Sequence, residues 1–146
     1  MNGNPEHERT VVSPEQRNLE FPLLWQGVGW LLVVLVVILS LLPHPPTPPI
    51  VTWDKSQHLL AYGGLMYWFG MVFPRYVSWV LFLVALGVIL EVLQGWSGYR
   101  YFEYADMLAN TLGVFVGLLL ATTQLGGLVG GLDRLLAVWM GREARS

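Results

Sequence analysis

The sequence predicts an all-α membrane protein, a bundle of four transmembrane helices followed by a short C-terminal amphipathic or interfacial helix. Of its 146 residues, 54% are hydrophobic and only 12% are charged, whereas an average soluble domain has roughly 25% charged residues. Four apolar stretches each approach the ~20 residues that a helix needs to cross the hydrocarbon core of a bilayer. Prolines or a polar turn separate these stretches.

The predicted domain organisation has one membrane unit between two tails. Residues 1–20 are polar, carry mixed charges and show no apolar periodicity, which predicts a flexible cytoplasmic tail. Residues 21–125 form the membrane domain, and residues 126–146 form the interfacial helix and a cytoplasmic tail. The four predicted spans cover about 22–42, 54–73, 77–96 and 104–124.

Local signals support the first two spans. Pro22 suits the first turn of a helix, where its missing N–H donor has no intrahelical partner to lose. No charged residue follows until Asp54, and the proline-rich linker 43–49 ends the first helix. Pro74 ends the second span.

The last two spans and the C-terminal segment have their own signals. The third span is apolar except near its end. Gly113 and Gly117 form a small-xxx-small pair in the fourth span, which is typical of closely crossing membrane helices. After residue 127, an apolar segment carries Asp133 and Arg134, which we place together on the polar side of an amphipathic helix at the membrane interface.

The distribution of lysine and arginine predicts the orientation, because cytoplasmic loops of membrane proteins are enriched in both. Lys55 and Arg100 alone fall on one side of the predicted topology, so both chain termini are expected in the cytoplasm. Six arginines fall on the other side: Arg9, Arg17, Arg75, Arg134, Arg142 and Arg145.

Charge and cysteine content exclude some classes of function. The net charge of −2 gives no basic surface for nucleic acid, so no nucleic-acid partner is expected. The chain has no cysteine, which excludes disulfides, thiolate catalysis and cysteine–zinc sites. The sequence identifies neither a metal nor a cofactor. The bilayer is one expected partner, and the glycine-rich helix faces are compatible with a homo-oligomer.

The predicted topology brings polar residues from three helices to the outer side of the membrane. Ionised groups in a bilayer are costly, so they are expected to face the bundle and to mark a functional site. The candidates for acid–base catalysis are Asp54, His58, Glu91 and Asp106. The candidates for ligand binding are Lys55, Tyr62, Gln94, Arg100, Glu103 and Asn110.

Structural alternatives stand beside these roles. Asp54 followed by Gln57 resembles a helix N-cap with its capping-box partner. His58 could be a hydrogen-bonded structural histidine. Gln94 and Asn110 could join neighbouring helices, which is the commoner role of amide side chains in a membrane.

The same residues resemble the signature of the VanZ-like family over roughly residues 50–120. The family often has an aspartate soon after the arginine that corresponds to Arg100. Here Glu103 is the acidic residue near that position. Members are small integral membrane proteins, and the founding member is associated with teicoplanin resistance. The elements that match are Asp54-Lys55-x-x-His58, Tyr62-Gly63, Glu91-x-x-Gln94, Arg100 and Asp106-x-x-x-Asn110-Thr111-x-Gly113.

The resemblance implies a multi-pass protein of the bacterial inner (cytoplasmic) membrane, and three functions stay open. The first is binding of a lipid-linked or lipoglycopeptide headgroup at an outward charged cleft, linked to glycopeptide resistance. The second is an enzyme that acts on a lipid-linked substrate by carboxylate/histidine or metal chemistry. The third is an accessory subunit of a membrane complex.

Overall fold

The computed structural model describes residues 19–43, 54–73, 75–98 and 101–141, and every regular element within them is helical. Three of the helices, α1, α3 and α4, are long and apolar enough to cross a membrane, as expected for a membrane protein. Most of the predicted N-terminal tail, the proline-rich linker and residues 142–146 lie outside the described residues. The elements are α1 (Pro22–Leu41), α2 (Asp54–Val72), α3 (Tyr76–Trp96), α4 (Tyr104–Ala121), a 3₁₀ turn (Gln124–Gly127) and α5 (Leu128–Trp139).

The bounds of the helices follow from local sequence. Pro22 occupies the first turn of α1, and α1 ends where Leu42 becomes extended, directly before a proline. α4 ends at Ala121, three residues earlier than the predicted 124. The hydroxyls of Thr122 and Thr123 donate to carbonyls three residues back, which satisfies acceptors at the helix end.

The four long helices form two parallel pairs. Trp30, in the first half of α1, contacts Trp79 near the start of α3, and Ser40 near the end of α1 meets Gln94 near the end of α3. α1 and α3 therefore run in the same direction. Lys55 of α2 likewise meets Asp106 of α4 near the starts of both helices, so α2 and α4 run together in the opposite direction.

α2 is the central helix, and its closest neighbour is α4. The glycine pair predicted to allow close crossing lies in this seam: a Cβ on Gly117 would lie 2.9 Å from the backbone nitrogen of Tyr67 and would overlap the carbonyl oxygen of Gly63. A Cβ on Gly113 would likewise overlap the backbone of α2 at Leu59. The prediction of a close helix crossing at these two glycines is confirmed.

The prediction that Asp133 and Arg134 share a polar face of the C-terminal helix is wrong. Asp133 is 2% exposed and lies on the face of α5 that packs on the bundle, whereas Arg134 is exposed. Consecutive residues on a helix point about 100° apart, and Asp133 turns inward because it finds hydrogen-bond donors at the start of α1. The folded region accordingly includes Glu20, whose backbone N–H is one of these donors.

Candidate functional site

Polar side chains from three helices meet at one end of the bundle. This end is formed by the first turns of α2 and α4 and by the last turns of α3. The close seam between α2 and α4 holds their first turns side by side. We call the group made by Lys55, His58, Glu103, Asp106 and Asn110 the charged cluster.

Asp106 is the centre of the charged cluster. It lies in the first turn of α4 and is almost fully buried. Lys55 Nζ forms ion pairs with Asp106 Oδ1 and with Glu103 Oε2. The lysine therefore bridges a buried carboxylate and a second carboxylate that is half exposed, its side chain being 49% accessible. The bridge compensates the cost of burying the charge of Asp106.

His58 lies one helical turn after Lys55 on the same face of α2. Its Nε2 is 3.4 Å from Asp106 Oδ2, and its Nδ1 is 3.1 Å from Asn110 Oδ1. Each ring nitrogen thus faces an oxygen of α4, and the two oxygens come from residues four apart. The imidazole is held in one orientation beside a carboxylate, an arrangement that can also serve proton transfer.

Glu91 adjoins the cluster from α3. It is 1% exposed, and its Oε1 accepts a hydrogen bond of 2.7 Å from the backbone N–H of Glu103. Glu103 is the residue directly before α4, so the buried carboxylate fixes the start of that helix. In this structure Glu91 positions the backbone that carries Glu103.

Two of the predicted ligand-binding residues are buried and make contacts of a structural kind. Gln94 is buried, and its Nε2 donates a hydrogen bond of 2.6 Å to the carbonyl oxygen of Ser40 in the last turn of α1. Carbonyls of a last helical turn lack intrahelical partners, so this contact joins α3 to α1. Tyr62 is 2% exposed and packs beside Gly87 and Asn110, deeper in the bundle.

Two other predicted site residues cannot be placed in the cluster. The side chain of Asp54 and the whole of Arg100 lie outside the described part of the chain. Both remain candidates from sequence, since Asp54 is the first residue of α2 and Arg100 precedes Glu103 by three positions.

Three aromatic residues next to Glu103 lie at this end of the bundle, and no role was predicted for them from the sequence; we call them the aromatic rim. Tyr101 and Tyr104 are largely exposed, and Phe102 lies between them with its ring edge-on to Tyr104 at 4.8 Å. Three aromatic residues flanking one acidic residue were the available signal. Tyrosine rings are enriched where a membrane meets water.

The chemistry of the described cluster is that of an acidic site bridged by one lysine. Glu91, Glu103 and Asp106 outnumber the single Lys55 among the described groups. Within the described ranges no three histidine, cysteine, aspartate or glutamate side chains are placed to share a metal ion. The arrangement favours ion pairing and proton transfer by side chains.

Comparison with known proteins gives one match. A family model described as VanZ/LLP1 matches residues 49–126, which is more than half of the chain and includes every residue of the charged cluster. No curated protein and no solved structure matches significantly.

Proposed function

The chain belongs to the VanZ/LLP1 family of proteins, and from this membership we propose that it is a bacterial cytoplasmic-membrane protein that binds a lipid-anchored polar headgroup at the charged cluster. The ligand is a lipid-linked envelope precursor or a lipid-tailed glycopeptide of the teicoplanin type, and binding protects the cell from such glycopeptides. The observation that carries the proposal is the bridge from Lys55 to both Glu103 and Asp106 at the open end of the bundle.

The directions of the helices support a fourth span. α1 and α3 have the length and apolarity of membrane spans and run in the same direction. If both cross the bilayer, the chain between them must return across it, and α2 is the helix that occupies this path. Its 19 residues extend about 28 Å, close to the ~30 Å thickness of the hydrocarbon core. In its polar first turn, Lys55 pairs with Asp106 of α4.

The exposure of the cluster suggests how an anionic headgroup would bind. Among the described carboxylates Lys55 pairs with Asp106, which is buried, and with Glu103, which is half exposed. A phosphate or carboxylate from the ligand would replace Glu103 on the lysine, while Asp106 would keep the lysine in place. Charge-assisted hydrogen bonds of this kind are about twice as strong as neutral ones.

The aromatic rim supports a ligand that is anchored in lipid. Exposed tyrosines such as Tyr101 and Tyr104 are favoured at the headgroup level of a bilayer, because the ring is apolar and the hydroxyl can reach water. The mouth of the cluster would then open at the depth where lipid-attached headgroups lie.

A susceptibility assay tests the proposal. The full chain is expressed in a teicoplanin-sensitive strain, and the inhibitory concentration of teicoplanin is compared between the native chain and Lys55→Met. We expect the native chain to raise this concentration several-fold. Lys55→Met should abolish the increase, because it removes the ammonium group that would bind the ligand. A glycopeptide without a lipid tail should show a smaller effect.

Glu103→Gln is the matched control for this assay. It removes the exchangeable partner of Lys55 and leaves Asp106 in place, so protection should persist or increase. Equal amounts of each variant in the membrane must be verified by immunoblot. Protection that survives Lys55→Met, or that Glu103→Gln destroys, would contradict the proposed exchange.

A second candidate function is catalysis on a lipid-linked substrate, favoured by the fixed orientation of His58 between Asp106 and Asn110. His58 would act as the acid–base group, with Asp106 orienting it. His58→Gln distinguishes the two functions. Loss of turnover of a purified lipid-linked substrate with retained binding would favour catalysis, whereas unchanged protection in cells would favour binding alone.

The proposed orientation has the cluster outside the cell and both termini in the cytoplasm. Because the chain has no cysteine, single cysteines can report accessibility at the two ends of α4. Tyr101→Cys should react with an impermeant maleimide in intact cells, and Thr122→Cys should react only after permeabilisation. The reverse pattern would place the cluster on the cytoplasmic side.

A further inference from the structure

The outer face of α5 is apolar and exposed. Leu135 is 69% exposed and Trp139 is 85% exposed, although α5 packs on the bundle through its other face. A water-facing helix would have polar side chains there. We call this surface the α5 outer face; its members are Leu128, Leu132, Leu135, Val138 and Trp139.

The inner face of α5 is attached to the start of α1 by Asp133. One carboxylate oxygen of Asp133 accepts from the backbone N–H of Glu20 at 2.6 Å. The other accepts from the backbone N–H of Phe21 at 3.0 Å and from the indole Nε1 of Trp25 at 2.7 Å. Val129 is fully buried next to Trp25, which adds an apolar contact. Asp133 thus holds the two residues before α1 and the indole of Trp25 from 108 to 113 residues away along the chain.

These contacts fix the depth of α5 relative to the membrane. The helix begins seven residues after α4 ends at Ala121, and its middle touches the residues immediately before α1 begins at Pro22. Both α1 and α4 have the length and apolarity of membrane spans. α5 therefore lies at the level where two spans end, which is the surface of the bilayer. Leu23 and Leu24, at the start of α1 and thus near the same level, are also apolar and exposed.

We propose that α5 lies in the interfacial layer of the bilayer, with the α5 outer face in contact with lipid, and that Asp133 couples this lipid contact to the position of α1. The end of the helix carries Trp139, a residue enriched at membrane interfaces, and the exposed Arg134 lies at the border of the apolar face, where it can reach lipid phosphates. The occupant of the outer face is thus lipid, rather than a second copy of the chain. The proposal does not depend on the function of the charged cluster.

Site-directed spin labelling tests the lipid contact. Single cysteines replace Leu135 or Arg134 in the full chain, which has no native cysteine. After labelling and reconstitution in vesicles of phosphatidylcholine and phosphatidylglycerol, collisions of the label with oxygen and with a water-soluble nickel chelate are compared. Leu112→Cys, on the exposed side of the middle of α4, marks the membrane interior, and Tyr101→Cys marks the opposite bundle end.

We expect the ratio of oxygen to nickel accessibility to be several-fold higher at position 135 than at position 134, and lower at 135 than at 112. Leu132→Cys should repeat the result, in case labelling at 135 alone disturbs the helix. A label at 135 and 132 as accessible to nickel as the one at 134 would overturn the proposal. Dipolar broadening that disappears on dilution with unlabelled protein would overturn it in favour of a second copy.

Asp133→Ala, introduced beside Leu135→Cys, tests the coupling to α1. Loss of the three hydrogen bonds to Asp133 should release α5 from α1. The label should then become more mobile, and its nickel accessibility should rise several-fold. Asp133→Asn keeps one acceptor oxygen, so its label mobility and nickel accessibility should lie between those of the native Asp133 background and Asp133→Ala. An unchanged label in Asp133→Ala would overturn the coupling.

Discussion

The two ends of this bundle each bury a carboxylate, and the partners of the two carboxylates differ. At one end Asp106 is paired with Lys55 and lies beside His58, both of which are ionisable side chains. At the other end the donors to Asp133 among the described residues are neutral N–H groups, two of the backbone and one of Trp25. The first pairing can exchange partners or protons, whereas the second is fixed by the backbone.

The exposure of the neighbouring groups separates the two ends further. The partner of Asp106 also contacts Glu103, which is half exposed, so a ligand can reach the pairing from water. Asp133 itself is 2% exposed, and the Trp25 side chain that donates to it is also buried. A buried carboxylate in a membrane helix is often taken as a functional site. Here the difference in partners supports the proposed binding site at one end and a purely structural contact at the other.

The seam between α2 and α4 connects the two ends, and breaking it should have the largest effect. In Gly117→Ala the new Cβ would meet the backbone of α2 at Gly63 and Tyr67, so the helices must separate. We expect a loss of at least about 3 kcal/mol in the free energy of unfolding, the upper end for overpacked cores. The measurement is unfolding in mixed detergent micelles.

Gly64→Ala, in α2, is the control for this substitution, because a Cβ at Gly64 would meet no described atom within 4 Å. It should leave stability unchanged or slightly raised, since alanine favours helix. Equal stabilities of the two variants would show that the close approach of α2 and α4 does not limit folding.

Asp133→Ala should have the next largest effect, and only at its own end. It removes the acceptors of the backbone N–H groups of Glu20 and Phe21, and it leaves the buried indole N–H of Trp25 without its acceptor. The expected cost is about 2–4 kcal/mol. The proposed protection against teicoplanin should persist in cells that contain equal amounts of the variant. A loss of protection without a loss of stability would mean that the two ends are functionally coupled.

The pairing of Lys55 with Asp106 should contribute less net stability than the hydrogen bonds of Asp133, because both charged groups lose hydration when they are buried. A double-mutant cycle with Lys55→Met and Asp106→Asn should give a coupling energy of about 1–3 kcal/mol. The coupling should be nearly insensitive to salt, since the carboxylate is buried. A coupling near zero would indicate that His58 alone compensates Asp106.

The pairing of Lys55 with Glu103 should have the smallest effect. The side chain of Glu103 is 49% exposed, and water screens the pair, so a cycle with Lys55→Met and Glu103→Gln should give about 0.2–1 kcal/mol. Added salt should reduce this coupling energy. A value as large as that for Asp106 would argue against Glu103 as an exchangeable partner.

The sequence predicted the helices well because their signals are local. Apolar length, prolines and glycine spacing each act within one helix, and α1 to α4 begin within one residue of the predicted positions. The membership of the charged cluster was predicted in part. Lys55, His58, Asp106 and Asn110 meet because residues three or four apart share a helix face. The location of Gln94 depends on how α1 packs beside α3, and its own helix contains no signal for that.

The sequence by itself determined that this chain is a helical membrane protein of the VanZ/LLP1 family with ionisable groups near three helix ends. The tertiary structure decided which of those groups pair with one another. It also reversed the role of Asp133, because the donors that bury this carboxylate lie 108 to 113 residues away along the chain. Burial of a charge depends on its partners in space, and helical periodicity specifies only the neighbours within one helix.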